Sequence, residues 1–352
     1  MNMKVKIKSA LLAVLLVFSS LSICACGKGG KAEKYTEYIF DYFDTVTTVT
    51  GYAENKSEFD KVVETLSTKM KEYHRLFDIY NDYKGVNNIK TLNDKAHGEG
   101  NAVEVDISVI ELLEFSKEMH ALTGGKVNIA LGSVTALWHS YRVSAEDGEG
   151  EVPSESELLS ASEHCDINDV VILKDENKVY FTDPALKLDV GATAKGFATE
   201  KLARMLESEG ISGYVLSLGG NVRTVGRSPD GEKWNVGVES PDGEETYPAL
   251  LALEREALVT SGSYRRFYVS DGVNYHHIID PATLFPSDRY KSVSVVCNDA
   301  SLGDALSTAL FNMSLDEGRK LVSNFEGVGV LWIKNDGNME TTALFDKYSV
   351  KN

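Results

Sequence analysis

Basic residues are in the minority in this chain, whose 352 residues hold 36 Lys and Arg against 53 Asp and Glu, a formal net charge of -17. A field of that sign repels a phosphate backbone. No strong basic patch stands out beyond the N-terminal flank, so nucleic acid is not expected as a partner. Cysteine is scarce too, with four residues in all, two of them at positions 24 and 26. Cys165 and Cys297 are left for the body; far apart in sequence and without metal-ligand spacing, they offer no disulfide framework and are expected to be unpaired. There is no P-loop and no repeat of fixed period. What is present, 43% hydrophobic and 25% charged residues, suits a globular protein with a sizeable core.

The N-terminus reads as an export signal. Lys4, Lys6 and Lys8 precede "ALLAVLLVF", an apolar run too short to span a bilayer comfortably. In "LSICACGKGG", Cys26 has Ile23 three positions before it and Ala25 immediately before it, the pattern of a lipidated cysteine, whereas Cys24 has the bulky Ile23 beside it. The expected organisation is a lipoprotein signal peptide over 1–25, a flexible tether over 26–36 and one domain over 37–352. The mature protein is then exported and lipid-anchored, facing outward from the cytoplasmic membrane or into a periplasm.

Periodicity predicts a mixed body. "TVTTVTGYA" is strand-like, and Glu58 to Phe77 is helical with apolar residues at 59, 62, 63, 66 and 70. "NAVEVDI" leads into a helix over Ser108 to Thr123 that ends at Gly124-Gly125. Ala145 to Glu157 is acidic and loop-like. "DVVILKDENKVYFTD" reads as a hairpin, the segment up to Gly210 as a helix, and "GYVLSLGGNVRTVG" as a strand entering a glycine turn. Further strands follow in "WNVGVESP", "ALLALEREALVTSGSY", "RRFYVSDGVNYHHIID", "YKSVSVVC" and "GVGVLWIKNDG", with a helix over Ala300 to Met313. The fold class is α+β in one compact domain.

Three segments carry more chemistry than a scaffold needs. "DVGATAKGFA" (Asp189 to Ala198) places glycines and Lys195 at a strand-to-helix junction, where free N–H groups and the helix dipole favour an anion; a tight helix-entry turn is the alternative. In "GDALSTALF", Asp304, Ser307 and Thr308 share a helix face, a hard-oxygen set suited to Mg2+ or simply polar helix-entry residues. In "NYHHIIDP", a strand over Tyr275 to Ile279 turns His276 and His277 to opposite faces, so the pair is not a two-histidine metal clip.

Taken in order, "DVGATAKGFA", "SLGGNV", "TSGSYRRFY", "YHHIIDPATLFP" and "DALSTALF" resemble the ApbE family, the FAD:protein FMN transferases, from about Phe43 to about Phe311. The resemblance implies an α+β fold related to the T-fold, dependence on Mg2+, and transfer of the FMN half of FAD to a threonine or serine hydroxyl of another protein with release of AMP. The acceptor it implies is a flavoprotein bearing an Asp-x-x-Ser/Thr-Gly-Ala-Ser/Thr motif.

Residue by residue, it implies a metal site at the Ala192 carbonyl with Asp304, Ser307 and Thr308. Phe43, Tyr80, Lys126, Val127, Asn128, Asp189, Lys195, Ser261, Ser263, Tyr264 and Ile279 are implied to bind the flavin nucleotide. His277 matches the family's H-x-I-D-P pattern and is the candidate general base, with Asp280 orienting it or supporting the metal. His276 has no catalytic part in this reading.

Departures from the family pattern are Asn128 for aspartate, "FDT" for M-G-T, "PATLFP" without Thr-Gly, and Gly303 where alanine is common, a change of little expected consequence. Two other activities fit the same motifs: an FAD pyrophosphatase, and a lipoprotein that holds FAD without modifying anything.

Replacing Cys26 by serine is expected to abolish incorporation of labelled fatty acid in growing cells; a Cys26→Ser protein that still takes up label would place the lipid elsewhere.

Overall fold

The computed structural model describes residues 32–145 and 150–350. The expected signal peptide, Cys26 and the first part of the tether lie outside the described residues, as do 146–149 of the acidic segment. No helix among the described residues is long and apolar enough to cross a membrane.

In chain order, the first half comprises β1 (Glu33–Ile39), β2 (Thr47–Ala53), α1 (Lys56–Phe77), α2 (Ile89–Lys95), β3 (Val103–Glu104), α3 (Ile107–Leu122), α4 (Gly132–Ser144), α5 (Glu155–Ser162), β4 (Val170–Leu173), β5 (Lys178–Phe181) and α6 (Ala194–Ser208). There follow β6 (Tyr214–Leu218), β7 (Asn221–Val225), β8 (Trp234–Gly237), β9 (Leu250–Leu253), β10 (Ala257–Gly262), β11 (Phe267–Ser270), β12 (Val273–His276), β13 (Tyr290–Cys297), α7 (Ala300–Phe311), α8 (Leu315–Val322), β14 (Gly329–Lys334), β15 (Met339–Thr341) and α9 (Ala343–Tyr348).

Eight strands form one open antiparallel sheet in the order β1-β2-β6-β7-β10-β13-β14-β15. It does not close into a barrel. One end of the sheet is covered by helices. Val49, Leu216 and Leu218 pack with Phe59, Leu66, Val109 and Leu202. Towards the other end both faces are buried. Leu306, Leu310 and Phe311 of α7 cover Val293 and Val295, while Trp234, Leu251, Leu253 and Phe345 cover Val296, Leu331 and Ile333. Two-sided burial leaves seven of the eight β13 residues buried, Ser292 and Ser294 among them.

Local chemistry sets the boundaries. The Asn55 side chain accepts the Glu58 N–H at the start of α1, and Ser154 and Glu157 form a capping box that starts α5. That box puts a helix where the acidic segment 145–157 reads as loop. Gly219 (φ 58) and Gly220 (φ 98) supply the two left-handed residues of a two-residue hairpin turn, so "SLGGNV" joins β6 directly to β7.

Within the expected tether, Glu33 to Thr36 of β1 pair with Thr50 to Ala53 of β2. Alternating Tyr35, Glu37 and Ile39 give this polar stretch one half-buried face. The strand carrying the two histidines ends early, at His276. Cys165 and Cys297 are free thiols, both with pKa pushed up by burial, to about 11 and about 12.

One buried ion pair ties the helical layer to the sheet. Arg223 on β7 donates from Nε to Glu200 Oε2 on α6 at 3.0 Å, with both side chains 4% exposed. The same oxygen accepts the Ala300 N–H that opens α7, at 2.8 Å. Burial alone would raise the Glu200 pKa; Arg223, the Ala300 amide and Arg204 overcome it and hold the value below normal.

A lowered folded-state pKa means that this carboxylate stabilises the fold above its unfolded pKa and ceases to do so as pH falls through the folded value. Arg223→Ala is expected to cost about 3 kcal/mol at neutral pH in urea unfolding. The deficit should narrow below about pH 4.5, where the unpaired carboxyl is protonated; a deficit independent of pH would show that the charge pair is not its source.

Candidate functional site

The glycine-rich loop before α6 is organised by a helix distant in sequence. Thr193, at the N-cap of α6, makes no side-chain cap. Instead Asp304 of α7 reaches across, and its Oδ2 accepts the Gly196 N–H at 2.7 Å, capping the third amide of α6 from outside. The two helices approach closely because position 196 has no side chain. A Cβ there would overlap the Ala300 carbonyl oxygen and the Asp304 Cβ.

This arrangement favours the tight helix-entry turn over a free-amide anion site. Gly191 N–H donates to Asp189 Oδ1 at 2.9 Å, and the Thr193 and Ala194 amides donate to the Val190 carbonyl. With Gly196 given to Asp304, the loop's N–H groups are largely engaged, and anion binding falls to side chains.

Asp304 is 5% exposed, and burial pushes its pKa up, opposed by Lys195 and by hydrogen bonds from Gly196 and Asn221. Thr308 and Ala192 line the same cleft, and the Ala192 carbonyl accepts no backbone hydrogen bond among the described residues. Ser307 stands behind them, fully buried, donating to the Asp304 carbonyl at 3.0 Å and bonded to Ser261 Oγ at 2.9 Å. It therefore props the site instead of facing it, because the helix turns its side chain towards β10.

These residues fit Mg2+. The oxygen set is hard, with one desolvated carboxylate that a dication would keep ionised. Among the described residues no cluster of three His, Cys, Asp or Glu forms an all-protein cage. Mg2+ tolerates that poverty by keeping waters and taking substrate phosphate oxygens.

The cleft has a volume of about 560 Å3, within the usual range of small-molecule sites. It gathers the β1–β2 turn, the end of α1, the segment before α4, α4 itself, the α6 loop, the β6–β7 turn, the end of β10 and the segment after β12. Of the expected nucleotide residues, Phe43, Tyr80, Lys126, Val127, Asn128, Asp189, Lys195, Ser261 and Ile279 line it. Ser263 and Tyr264 do not. The Ser263 amide and hydroxyl both turn to the Lys291 carbonyl, and the Tyr264 ring packs over Gly262.

Several lining residues are occupied structurally. Asn128 donates to the Cys165 carbonyl and accepts from the Ala130 amide, so it holds a turn without needing an ionised side chain. Lys126 pairs with Asp280 at 2.8 Å.

His276 and His277 have separate environments, as expected, although β12 stops between them. His276 is buried; its Nε2–H donates to the Ser287 carbonyl at 2.7 Å and its Nδ1 accepts the Ile278 N–H at 3.2 Å. Both nitrogens are used in holding the turn. His277 is anchored by its own N–H to the Arg266 carbonyl and presents its ring to the cleft, open to water. The protein crowded around the ring, with Lys195 and Arg266 nearby, lowers its pKa. Asp280 does not orient it. The Asp280 Oδ1 serves Lys126 and the Ala282 amide, and no His277–Asp280 hydrogen bond forms among the described residues.

The charge pattern corrects another expectation. Lys126, Arg142, Lys195 and the adjacent Arg265 and Arg266 come from four segments to line one cleft in an acidic protein. Arg265 is neutralised by Glu239; Arg266 donates to the Asp44 carbonyl. "SYRRFY" was the visible trace of this group, but its partners are scattered along the chain. His74, Asp78, Trp138 and His139 also line the cleft and had no distinguishing sequence pattern. Gly303 is tighter than expected, since a Cβ there would lie 2.9 Å from Val259 Cγ2.

Residues 43–332 match the model of the ApbE family. An FAD:protein FMN transferase of Treponema pallidum (strain Nichols) is 30% identical over 346 residues, covering 94% of this chain and 92% of that protein. One from Escherichia coli (strain K12) is 28% identical over 248 residues, covering 69% and 70%. Among solved structures, the ApbE protein of Thermotoga maritima superposes with a TM-score of 0.78 at 28% identity, covering 91% of this chain and 100% of that one. The flavin transferase ApbE of Vibrio cholerae shares the fold with a TM-score of 0.75 at 23% identity, covering 90% and 100%.

Gly196→Ala is expected to force α6 from α7 and to lower unfolding free energy by about 1–3 kcal/mol. Urea unfolding of the variant checks this; unchanged stability would mean that the helices can separate without cost.

Proposed function

The chain belongs to the ApbE family, and from that premise we propose that it is an FAD:protein FMN transferase acting through the cleft described above. The observation that carries the reading is the meeting of two chemistries around one lysine. Lys195, His277, Asp304 and Thr308 line the same cleft, and the Lys195 charge lowers the His277 pKa and opposes the rise at Asp304. A proton acceptor and a hard-oxygen metal site thus flank a cation suited to a diphosphate.

FAD is proposed to lie with its diphosphate among Lys195, Arg142 and Arg266, and with Phe43 and Tyr80 as aromatic walls. Mg2+, held by Asp304, Thr308 and the Ala192 carbonyl, supplies charge neutralisation at the diphosphate when bound. The acceptor is a threonine or serine hydroxyl of another protein, and its weakly acidic proton passes to the His277 imidazole. The acceptor oxygen bonds to the FMN phosphorus while the bond to the bridging oxygen breaks, and that oxygen leaves with AMP. A depressed pKa keeps His277 neutral and able to accept a proton; an anionic diphosphate beside it draws its basicity back up.

The same cleft can pass the phosphorus to water, since the His277 ring is open to solvent until an acceptor covers it. AMP release measured with and without acceptor separates transfer from FAD hydrolysis. For the address we keep the lipid anchor at Cys26 and an outward-facing location.

Asp304→Ala is expected to lose Mg2+-dependent transfer; transfer at the parental rate and with the parental Mg2+ requirement would place the metal elsewhere. His277→Ala should lower single-turnover transfer by roughly a hundredfold with FAD affinity kept. His276→Ala should instead lower stability, because it leaves the Ser287 carbonyl without its donor. Equal rate losses per folded molecule in the two variants would show that the wrong histidine has been assigned.

A further inference from the structure

Both aromatic walls of the cleft are tied to a single carboxylate. Asp78, the C-cap of α1, is 8% exposed. Its Oδ1 accepts the Tyr80 N–H at 2.6 Å and the Asn81 N–H at 3.1 Å, while its Oδ2 accepts the Tyr83 hydroxyl at 2.7 Å. Burial would raise the Asp78 pKa, but these bonds outweigh it and hold the carboxylate ionised; Tyr83 stays protonated, its pKa pushed up to about 12 by burial and by Asp78.

The protons can then be followed outward. Tyr83 has one hydroxyl proton and gives it to Asp78, so its oxygen must accept from His74 Nε2–H at 3.2 Å. That fixes the neutral tautomer with a bare Nδ1. Nδ1 accepts the Phe43 N–H at 3.2 Å. The bond matters because Phe43 (φ 57) and Asp44 (φ 48) both sit in the left-handed region, which non-glycine residues adopt only when held there. The Phe43 ring also packs edge-on against His74, with centroids 5.7 Å apart.

We propose that His74, acting with Tyr83 and Asp78, is a positioning residue that fixes the Phe43 wall of the cleft while Asp78 fixes the Tyr80 wall, so that nucleotide binding depends on the His74 imidazole. The proposal rests on reading the cleft as the FAD site. Without the Nδ1 acceptor the Phe43 N–H loses its partner, and the strained turn its anchor. The charged and titratable groups facing His74 and its partner Tyr83 are Asp78 and Arg75 on α1, Asp44 on the β1–β2 turn, and Tyr42 and Tyr83 packed on its ring. None of them offers the Phe43 amide another acceptor in the hydrogen bonds formed among the described residues.

The test measures FAD affinity by flavin fluorescence, and protection of the Phe43 amide from exchange in the free protein, in the parent and in variants at one pH. Removing the His74 acceptor should lower affinity roughly three- to tenfold, the size of one hydrogen bond, and Phe43 protection should fall with it. His74→Phe keeps a ring but no nitrogen. It should bind FAD more weakly than the parent, with KM raised and kcat nearly kept. Tyr83→Phe, which leaves Nε2–H without its acceptor, should weaken FAD binding less.

Equal FAD affinity in the parent and in His74→Phe would overturn the proposal. So would equal Phe43 protection in the two free proteins. If the parent does not bind FAD, the flavin reading fails by itself, and the exchange measurement still decides what His74 does.

Discussion

The absence of a side chain at Gly196 lets α6 and α7 meet backbone to backbone, and the functional groups of the cleft take their places from that contact. With the helices this close, Asp304 can cap the amide of Gly196, which desolvates the carboxylate and turns it towards the α6 loop. Glu200, one turn further along α6, takes the first amide of α7 and the Arg223 guanidinium, so the crossing is pinned at two points and joined to the sheet. Lys195 projects from the same helix end into the cleft. A buried carboxylate, a cation and a helix junction are thus three aspects of one packing event.

Electrostatics then separates the cleft from the rest of the molecule. A net charge of -17 disfavours any anion at long range, yet cationic side chains from the α6 loop, α4 and the root of the β11–β12 hairpin converge inside it. Where these cations have few partners, as for Arg266, they can serve a diphosphate; where they are paired, as for Lys126 with Asp280, they hold a turn. Interactions across a partly desolvated cleft are stronger than those across the solvated surface, so a few local cations outweigh a distant excess of carboxylates.

The residues around His74 show a different use of polar groups. Asp78, Tyr83 and His74 touch one another in a defined donor and acceptor order, and their termini are backbone amides of the two aromatic residues that flank the cleft. The His276 side chain works in the same way on the other wall, with both nitrogens committed to the backbone. Of the two adjacent histidines, His276 spends both ring nitrogens on the turn, and His277 faces the cleft.

Much of this was legible in the chain. Alternation and helical period located β2, α1, α3, α6, β13 and α7 because each buries a face that leaves a local pattern. The motifs around 189–198, 276–280 and 304–308 marked positions that do line or support the cleft, and their order along the chain pointed to the family. Other features had no local signature. β1 is a polar edge strand whose pairing depends on β2; α5 is set by a cap inside an acidic stretch; Ser263 and Tyr264 follow the motif but turn away from the cleft.

The sequence by itself determined the periodic elements, the excess of acid and the residue types available for catalysis, because those depend on neighbours within a few positions. Tertiary structure alone decided that Asp304 would cap α6, that Asp280 would serve Lys126 and not His277, and that scattered arginines would share a cleft. These choices depend on contacts between residues tens to hundreds of positions apart, whose energies no local pattern records.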